Sequence, residues 1–254
     1  MALFDLKGRV ALVTGASSGL GARFAEVLAR QGADVAIIAR RYDRLLDKAK
    51  DIEKLGVRCL PVKCDATVES EVISTVSQIV SHFGKIDILV NNAGIAIGKN
   101  MEDMTGEDFR KVLDVDVNGV FYFAREAGKN MIKNKYGRII NIASMYGLVG
   151  NKFSPTIGYH TSKGAVVNFA RGLAAEWAKY NITVNNIGPG FFESEMTGDF
   201  FNTEPFVNFV KTMTCLEREG RPEELDTALV FLAANESSYI TGQTIYVDGG
   251  WTAI

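Results

Sequence analysis

Seven short, mostly apolar runs rich in β-branched residues alternate along this chain with longer stretches of helical periodicity. That alternation narrows the possible folds more than any other feature. The runs fall at 10–13, 33–39, 57–62, 86–90, 138–144, 182–187 and 243–247, with helical patterns from Gly21 to about 30 and over 42–55, 68–83, 107–134, 159–180 and 222–234. A strand followed by a helix and another strand needs a crossover, and crossovers of this length join parallel neighbours. Most of the runs are largely apolar, and strands alternating with helices of this length imply a parallel sheet covered on both faces. The expected fold class is therefore α/β, doubly wound, with a single seven-stranded parallel sheet and helices on both faces. No Pro- or Ser-rich linker, repeat or low-complexity stretch divides the 254 residues, so 1–254 reads as one domain.

Composition excludes several functions. A formal charge of −2 and a pI near 5.8 give no general attraction to nucleic acid or to an acidic membrane surface. No run reaches the length of a membrane span, and the first eight residues carry charges where a signal peptide needs an apolar core. The three cysteines, Cys59, Cys64 and Cys215, are odd in number and lack metal-ligand spacing. They read as small buried apolar groups in a reducing, cytoplasmic setting. No metal site is expected.

Between the first strand and the first helix lies Thr14-Gly-Ala-Ser-Ser-Gly-Leu-Gly21. Gly15, Gly19 and Gly21 there would let backbone amides approach a pyrophosphate at a helix N-terminus, with Ser17, Ser18 and Leu20 in the same turn. A rival reading takes Gly15-Ala-Ser17-Ser-Gly19 as a hydrolase nucleophile elbow. That reading requires a late histidine, and the chain has only His82 and His160. His160 adjoins Tyr159 and so points about 100° away around the helix. It is expected to pack or to lie at the surface.

The run 138–144 delivers Ser144 at a strand end, and the next helical pattern opens with Tyr159-His-Thr-Ser-Lys163. Residues four apart on a helix lie on one face. A tyrosine with its ordinary pKa of about 10 is a poor base near neutrality, and a neighbouring ammonium stabilises its phenolate. A serine that bonds the same oxygen completes a set suited to proton exchange with an alcohol or a carbonyl. Alone, Tyr-x-x-x-Lys is equally an ordinary surface pair.

Taken together, Thr14-Gly-x-x-x-Gly-x-Gly21, Asn91-Asn-Ala-Gly94, Asn118, Ser144, Tyr159-x-x-x-Lys163 and Pro189-Gly190 resemble the short-chain dehydrogenases/reductases in order and spacing. The resemblance runs to Val247-Asp-Gly-Gly250 and implies a Rossmann fold. It implies Tyr159 as acid/base, Lys163 as the group that lowers its pKa and holds the nicotinamide ribose, and Ser144 as the residue orienting the substrate oxygen. Asn118 resembles the family's fourth catalytic residue, which holds a water in the proton relay. Asp65, with Ala66, matches the part that meets the adenine. Asn92, Ala93 and Gly94 follow the fourth strand, where open α/β sheets bind ligands. Pro189, Gly190, Phe192 and Ser194 close the cofactor set, Ser194 standing where the family usually has a Thr.

An acidic residue about 20 positions beyond the glycines would hold the ribose hydroxyls of NAD. Here the second strand ends Ile38-Ala-Arg40-Arg41, with no carboxylate. Arginine pairs with phosphate through charge-assisted, often bidentate bonds. Arg40 and Arg41 therefore point to NADP(H) in preference to NAD(H), although Arg41 also suits a solvated helix start.

The segment expected as a substrate lid, about 190–215, carries Phe191, Phe192, Met196, Phe200, Phe201, Phe206, Phe209 and Met213. Met145, Tyr146 and Phe153 add to Phe191, Met196 and Phe200 as an apolar pocket, and a bulky hydrophobic alcohol such as a hydroxysteroid or bile acid ranks first. Packing of two short helices is the plainer account of some of these aromatics. The chain also resembles sugar-acid members such as gluconate 5-dehydrogenase at Asn185-Asn-Ile-Gly-Pro-Gly190, with Asn151 and Lys152 as the local polar candidates. A 3-oxoacyl-carrier-protein reductase is a third reading; Lys135 fits its docking patch and Tyr180 does not. A non-catalytic cofactor sensor on the same fold is the fourth, disfavoured by the presence of Tyr159, Lys163, Ser144 and Asn118 together. Finally, the helix over 158–180 is apolar or small nearly all round, so a second copy is expected to cover it. The resemblance extends this to a homotetramer.

Overall fold

Strand β1 (Val10–Thr14) is buried at every position, as a central strand with helices on both sides must be. Its side chains alternate: Ala11 and Val13 enter one apolar cluster, and Leu12 enters another. Around it lie β2 (Asp34–Ala39), β3 (Cys59–Lys63), β4 (Ile88–Asn91), β5 (Gly137–Ile142), β6 (Ile182–Pro189) and β7 (Thr244–Val247). All pairings are parallel, in the order β3-β2-β1-β4-β5-β6-β7. The order reverses direction between β1 and β4, the switch point at which such sheets open a ligand crevice. This computed structural model describes residues 4–193, 198, 201 and 203–254.

One face of the sheet is covered by α1 (Gly19–Arg30), α2 (Tyr42–Glu53) and α8 (Asp226–Ala233), through Phe24, Leu28, Leu45, Ile52, Leu229 and Leu232. The other carries α3 (Glu69–Phe83), α5 (Gly119–Asn134) and α6 (Ile157–Trp177), through Val72, Ile79, Phe123, Met131, Ala170 and Trp177. A further helix, α7 (Glu204–Met213), lies in the expected lid segment and gathers Phe201, Phe206 and Val210 into a separate cluster with Phe191 and Phe209.

Three expectations need correction. The helix read as continuous over 107–134 is two helices, α4 (Gly106–Leu113) and α5, joined by a wide π-helical turn at Asp114–Asn118. Such wide turns are frequent at functional sites. Helix α6 is not apolar all round, since its exposed side carries Thr161, Asn168, Arg171 and Glu176 beside the small Ala165, Gly172 and Ala175. Cys59 and Cys64 are buried as expected, whereas Cys215 is exposed. Burial pushes the Cys59 thiol up to about 12.

Polar bonds between neighbouring strands brace the sheet beneath the crevice. Asn91 donates to Asn141 at 2.9 Å, Asn141 to Asn186 at 3.1 Å and Asn186 to Thr244 at 3.0 Å, an amide chain crossing β4 to β7. The Thr14 hydroxyl accepts the backbone N–H of Asn92 and Ala93 at 3.0 and 3.1 Å. Buried amides left unpaired would be costly, so these bonds lock the strand ends in one register.

Candidate active site

Two residues beyond β5 the chain turns, and Ser144 caps the single turn Met145–Gly147 by accepting the Tyr146 N–H at 3.1 Å. Helix α6 then begins at Ile157, so Tyr159 stands in its first turn and Lys163 one turn further on the same side. Lys163 is 4% exposed; its Nζ donates to the Ile142 carbonyl at 3.0 Å and lies 5.2 Å from the Tyr159 ring centroid. Burial by itself would lower the pKa of this amine. The carboxylate of Asp116, 3.6 Å away, and the Tyr159 oxygen reverse that, and the net displacement is upward. An ammonium is thus held beside a phenol at the mouth of the crevice, the arrangement needed to stabilise a phenolate.

The structure does not bring Asn118 to this group. Asn118 is exposed and donates to Asp114 at 2.8 Å, on the outside of the turn. Residues two apart on a helical turn face nearly opposite sides, so the two do not share the site, and Asp116 is the one turned inward. In the sequence it is one of two acids in Asp114-Val-Asp-Val-Asn118, and nothing local marks it out from its neighbours. The family resemblance puts the role on Asn118, and the orientation of the turn decides against it.

The residues assigned to the cofactor line one cavity of about 910 Å³, together with Ser144, Tyr159 and Lys163. Gly15, Ser17, Ser18, Gly19, Leu20, Gly21, Arg40, Arg41, Asp65, Ala66, Asn92, Ala93, Gly94, Pro189, Gly190 and Phe192 all border it. Gly15 has φ +67°, a region costly for any side chain. At Gly21 a Cβ would stand 2.4 Å from both the Gly15 carbonyl oxygen and Asn92 Nδ2, so only glycine lets the helix start approach the turn. Arg41 donates to Ser18 Oγ at 2.7 Å and to Ser17 Oγ at 3.0 Å. Its guanidinium therefore leans on the glycine turn instead of standing free at a helix start. Asp65 accepts from Thr67; burial would raise its pKa, and the Thr67 bonds with the Arg40 charge hold it below the ordinary value. Bare backbone amides with two guanidiniums alongside fit a dinucleotide with an extra phosphate.

At the other end the cavity is lined by Ile95, Ala96, Met145, Tyr146, Asn151, Phe153, Ser154, Thr156, Phe191 and Phe206. Ser194, Met196 and Phe200 lie outside the described residues. Several expected wall aromatics pack on each other: Phe153 stacks on Phe209 at 4.3 Å, and Phe206 meets Phe191 edge-on at 4.9 Å. Phe191, Phe153 and Tyr146 still present surface to the cavity. Among the described lining residues at this end there is no Lys or Arg apart from Lys163. His160 stacks on Tyr146 at 4.5 Å with Nδ1 2.8 Å from the Thr156 carbonyl oxygen, a packing role as anticipated.

A glycine cradle at the switch point, joined to a Ser–Tyr–Lys group over the same crevice, defines an oxidoreductase that works with a nicotinamide dinucleotide on alcohols and ketones. The comparisons with known proteins agree. The chain belongs to the short-chain dehydrogenases/reductases, and a model of that family described as enoyl-(acyl carrier protein) reductase matches residues 15–252. It is 38% identical over 251 residues to 2-dehydro-3-deoxy-D-gluconate 5-dehydrogenase of Formosa agariphila, covering 98% of this chain and 94% of that one. It is 40% identical to a sorbose reductase of Candida albicans, covering 98% and 89%. A solved gluconate 5-dehydrogenase from Burkholderia cenocepacia, in complex with NADP and tartrate, superposes with a TM-score of 0.95 at 33% identity, covering 99% and 98%.

Proposed function

We propose that this protein is an NADP(H)-dependent oxidoreductase interconverting a secondary alcohol and its ketone, with Tyr159 as acid/base. The observation that carries the reading is the buried Lys163 ammonium beneath the Tyr159 ring, next to Ser144 and facing the glycine cradle. In this reading the Tyr159 hydroxyl gives its proton to a carbonyl oxygen on reduction and takes it back on oxidation. The Ser144 hydroxyl bonds the same oxygen, and Lys163 holds the phenolate form. The bound dinucleotide would supply or accept the hydride. Arg40 and Arg41, with Ser17 and Ser18, would hold the extra phosphate of NADP(H).

For the substrate, the reading that fits best is a neutral polyhydroxy ketone or alcohol of the ketose–polyol kind. Similarity to sorbose and gluconate enzymes supports a polyhydroxy chain, and Asn151, Ser154 and Thr156 offer it hydrogen bonds. A sugar acid would want a cation at the far end of the cavity, and none of the described residues there supplies one. A hydroxysteroid or bile-acid alcohol is the second reading, resting on the aromatic surface of Tyr146, Phe153 and Phe191; the named relatives lend it no support. The test is a panel of sorbose, fructose, mannitol, gluconate, hydroxysteroids and acetoacetyl thioesters, followed by NADPH absorbance. We expect the neutral ketoses to turn over and gluconate to lag. Efficient gluconate oxidation, or steroid activity alone, would overturn this choice. Tyr159→Phe should abolish turnover while NADPH still binds; activity within about tenfold of wild type would remove the acid/base assignment.

For assembly, we read the outer faces of α5 and α6 as the contact between copies in a homotetramer. Phe121 on α5 is 43% exposed, and Ala165, Gly172 and Ala175 leave α6 open to close approach. A cytoplasmic, reducing setting is supported by the unpaired thiols of Cys59 and Cys64.

A further inference from the structure

The turn between α4 and α5 holds a negative charge against the proton-handling residues, where it helps to keep Lys163 protonated. Asp116 is fully buried. One oxygen accepts the Ile95 N–H at 2.8 Å; the other accepts the Ser162 hydroxyl at 2.9 Å and lies 3.6 Å from Lys163 Nζ. A buried carboxylate is costly unless paired and hydrogen-bonded, and here all three partners are present. They come from two different segments, the loop after β4 and the first turns of α6, so the carboxylate is held from both sides. A Cβ at Gly94 would stand 3.2 Å from Lys163 Nζ and 3.4 Å from Asp116, so the loop leaves no room between them for a larger side chain.

Several groups face this pair. Tyr159 comes from α6 itself. From the turn after β5 comes Tyr146, its ring 6.5 Å from that of Tyr159, and His160 stacks behind it. Strand β5 contributes only the Ile142 carbonyl. Among the described residues, Asp116 is the carboxylate paired with Lys163. An ammonium whose charge is partly satisfied by a fixed anion does less for a neighbouring phenolate than a bare one would.

We propose that Asp116 is a positioning residue that anchors Lys163 and divides its charge with Tyr159, and so sets the pH at which alcohol oxidation begins. The inference rests on the reading of Tyr159 as the acid/base. Its test is Asp116→Asn, which keeps the shape and an acceptor for the Ile95 amide and removes the charge. In the holoenzyme the rising limb of kcat/KM for oxidation should move to lower pH by about one unit, a tenfold change in the proton equilibrium, with NADPH affinity unchanged. Asp116→Ser, also uncharged, should move the limb in the same direction. Folded variants with an unmoved limb would overturn the proposal. So would a uniform loss of rate at every pH, which is what a purely structural role gives, or failure of both variants to fold. An inactive Tyr159→Phe beside an unmoved Asp116→Asn would sink this inference alone. A Tyr159→Phe that still turns over would instead remove the reading beneath it.

Discussion

Cofactor choice is the property on which a single side chain should act most visibly. Arg41 leans across the glycine turn, with donors 2.7 Å from Ser18 Oγ and 3.0 and 3.2 Å from Ser17 Oγ. A phosphate bound beside those serines would take over donors already aimed at the spot. Hydrogen bonds to a charged group contribute about 1.5–3 kcal/mol. Because Arg41 is exposed, the lower end applies, about 1.5 kcal/mol or roughly tenfold in affinity. Arg41→Ala should therefore weaken NADPH about tenfold and leave NADH nearly unchanged. Adding Arg40→Ala should approach a hundredfold, with some shortfall because the two arginines are adjacent and would share the phosphate. Fluorescence titration of each reduced dinucleotide against each variant measures this directly. Equal weakening of both dinucleotides would mean that Arg41 only holds the turn in shape through Ser17 and Ser18. A wild-type preference for NADH would refute the phosphate argument entirely.

Two further outcomes concern packing. A Cβ at Gly128 would sit 2.2 Å from Trp177 Cη2 and 2.3 Å from its Cζ3, so Gly128→Ala should force α5 and α6 apart. Overpacking of this kind costs about 1–3 kcal/mol, with Tm falling about 2–4 °C for each; an unchanged Tm would show that the indole can move aside. For assembly, Ala165→Arg places a charge on the exposed side of α6 and should dissociate the proposed tetramer in light scattering, whereas Ala174, buried at 3% against its own sheet, would report only on folding. A monomeric wild type would dispose of the proposed contact.

Much of this protein was legible before any coordinates. Seven mostly apolar runs alternating with helical stretches dictate a parallel sheet covered on both sides, because each crossover helix lies on a face of the sheet. The glycine turn, Ser144 and the Tyr159–Lys163 pair were also readable, since each depends on short-range spacing: a tight turn, a strand end, one helical turn. What sequence could not give was direction at the one place where helical phase breaks. The π-helical turn at Asp114–Asn118 carries no breaker residue; the family resemblance puts the role on Asn118, and only the folded turn shows that Asp116 faces inward. The lid aromatics were likewise ambiguous, because stacking of Phe153 on Phe209 and of Phe206 on Phe191 brings together residues far apart or irregularly spaced in the chain. Outward and inward sides of α6 were decided by the sheet beneath it, which buries Ala174 and leaves Ala165 in the open. Local spacing fixes what a segment is; which side chain meets which partner is set by packing between segments, and the Asp116–Lys163 contact exists only there.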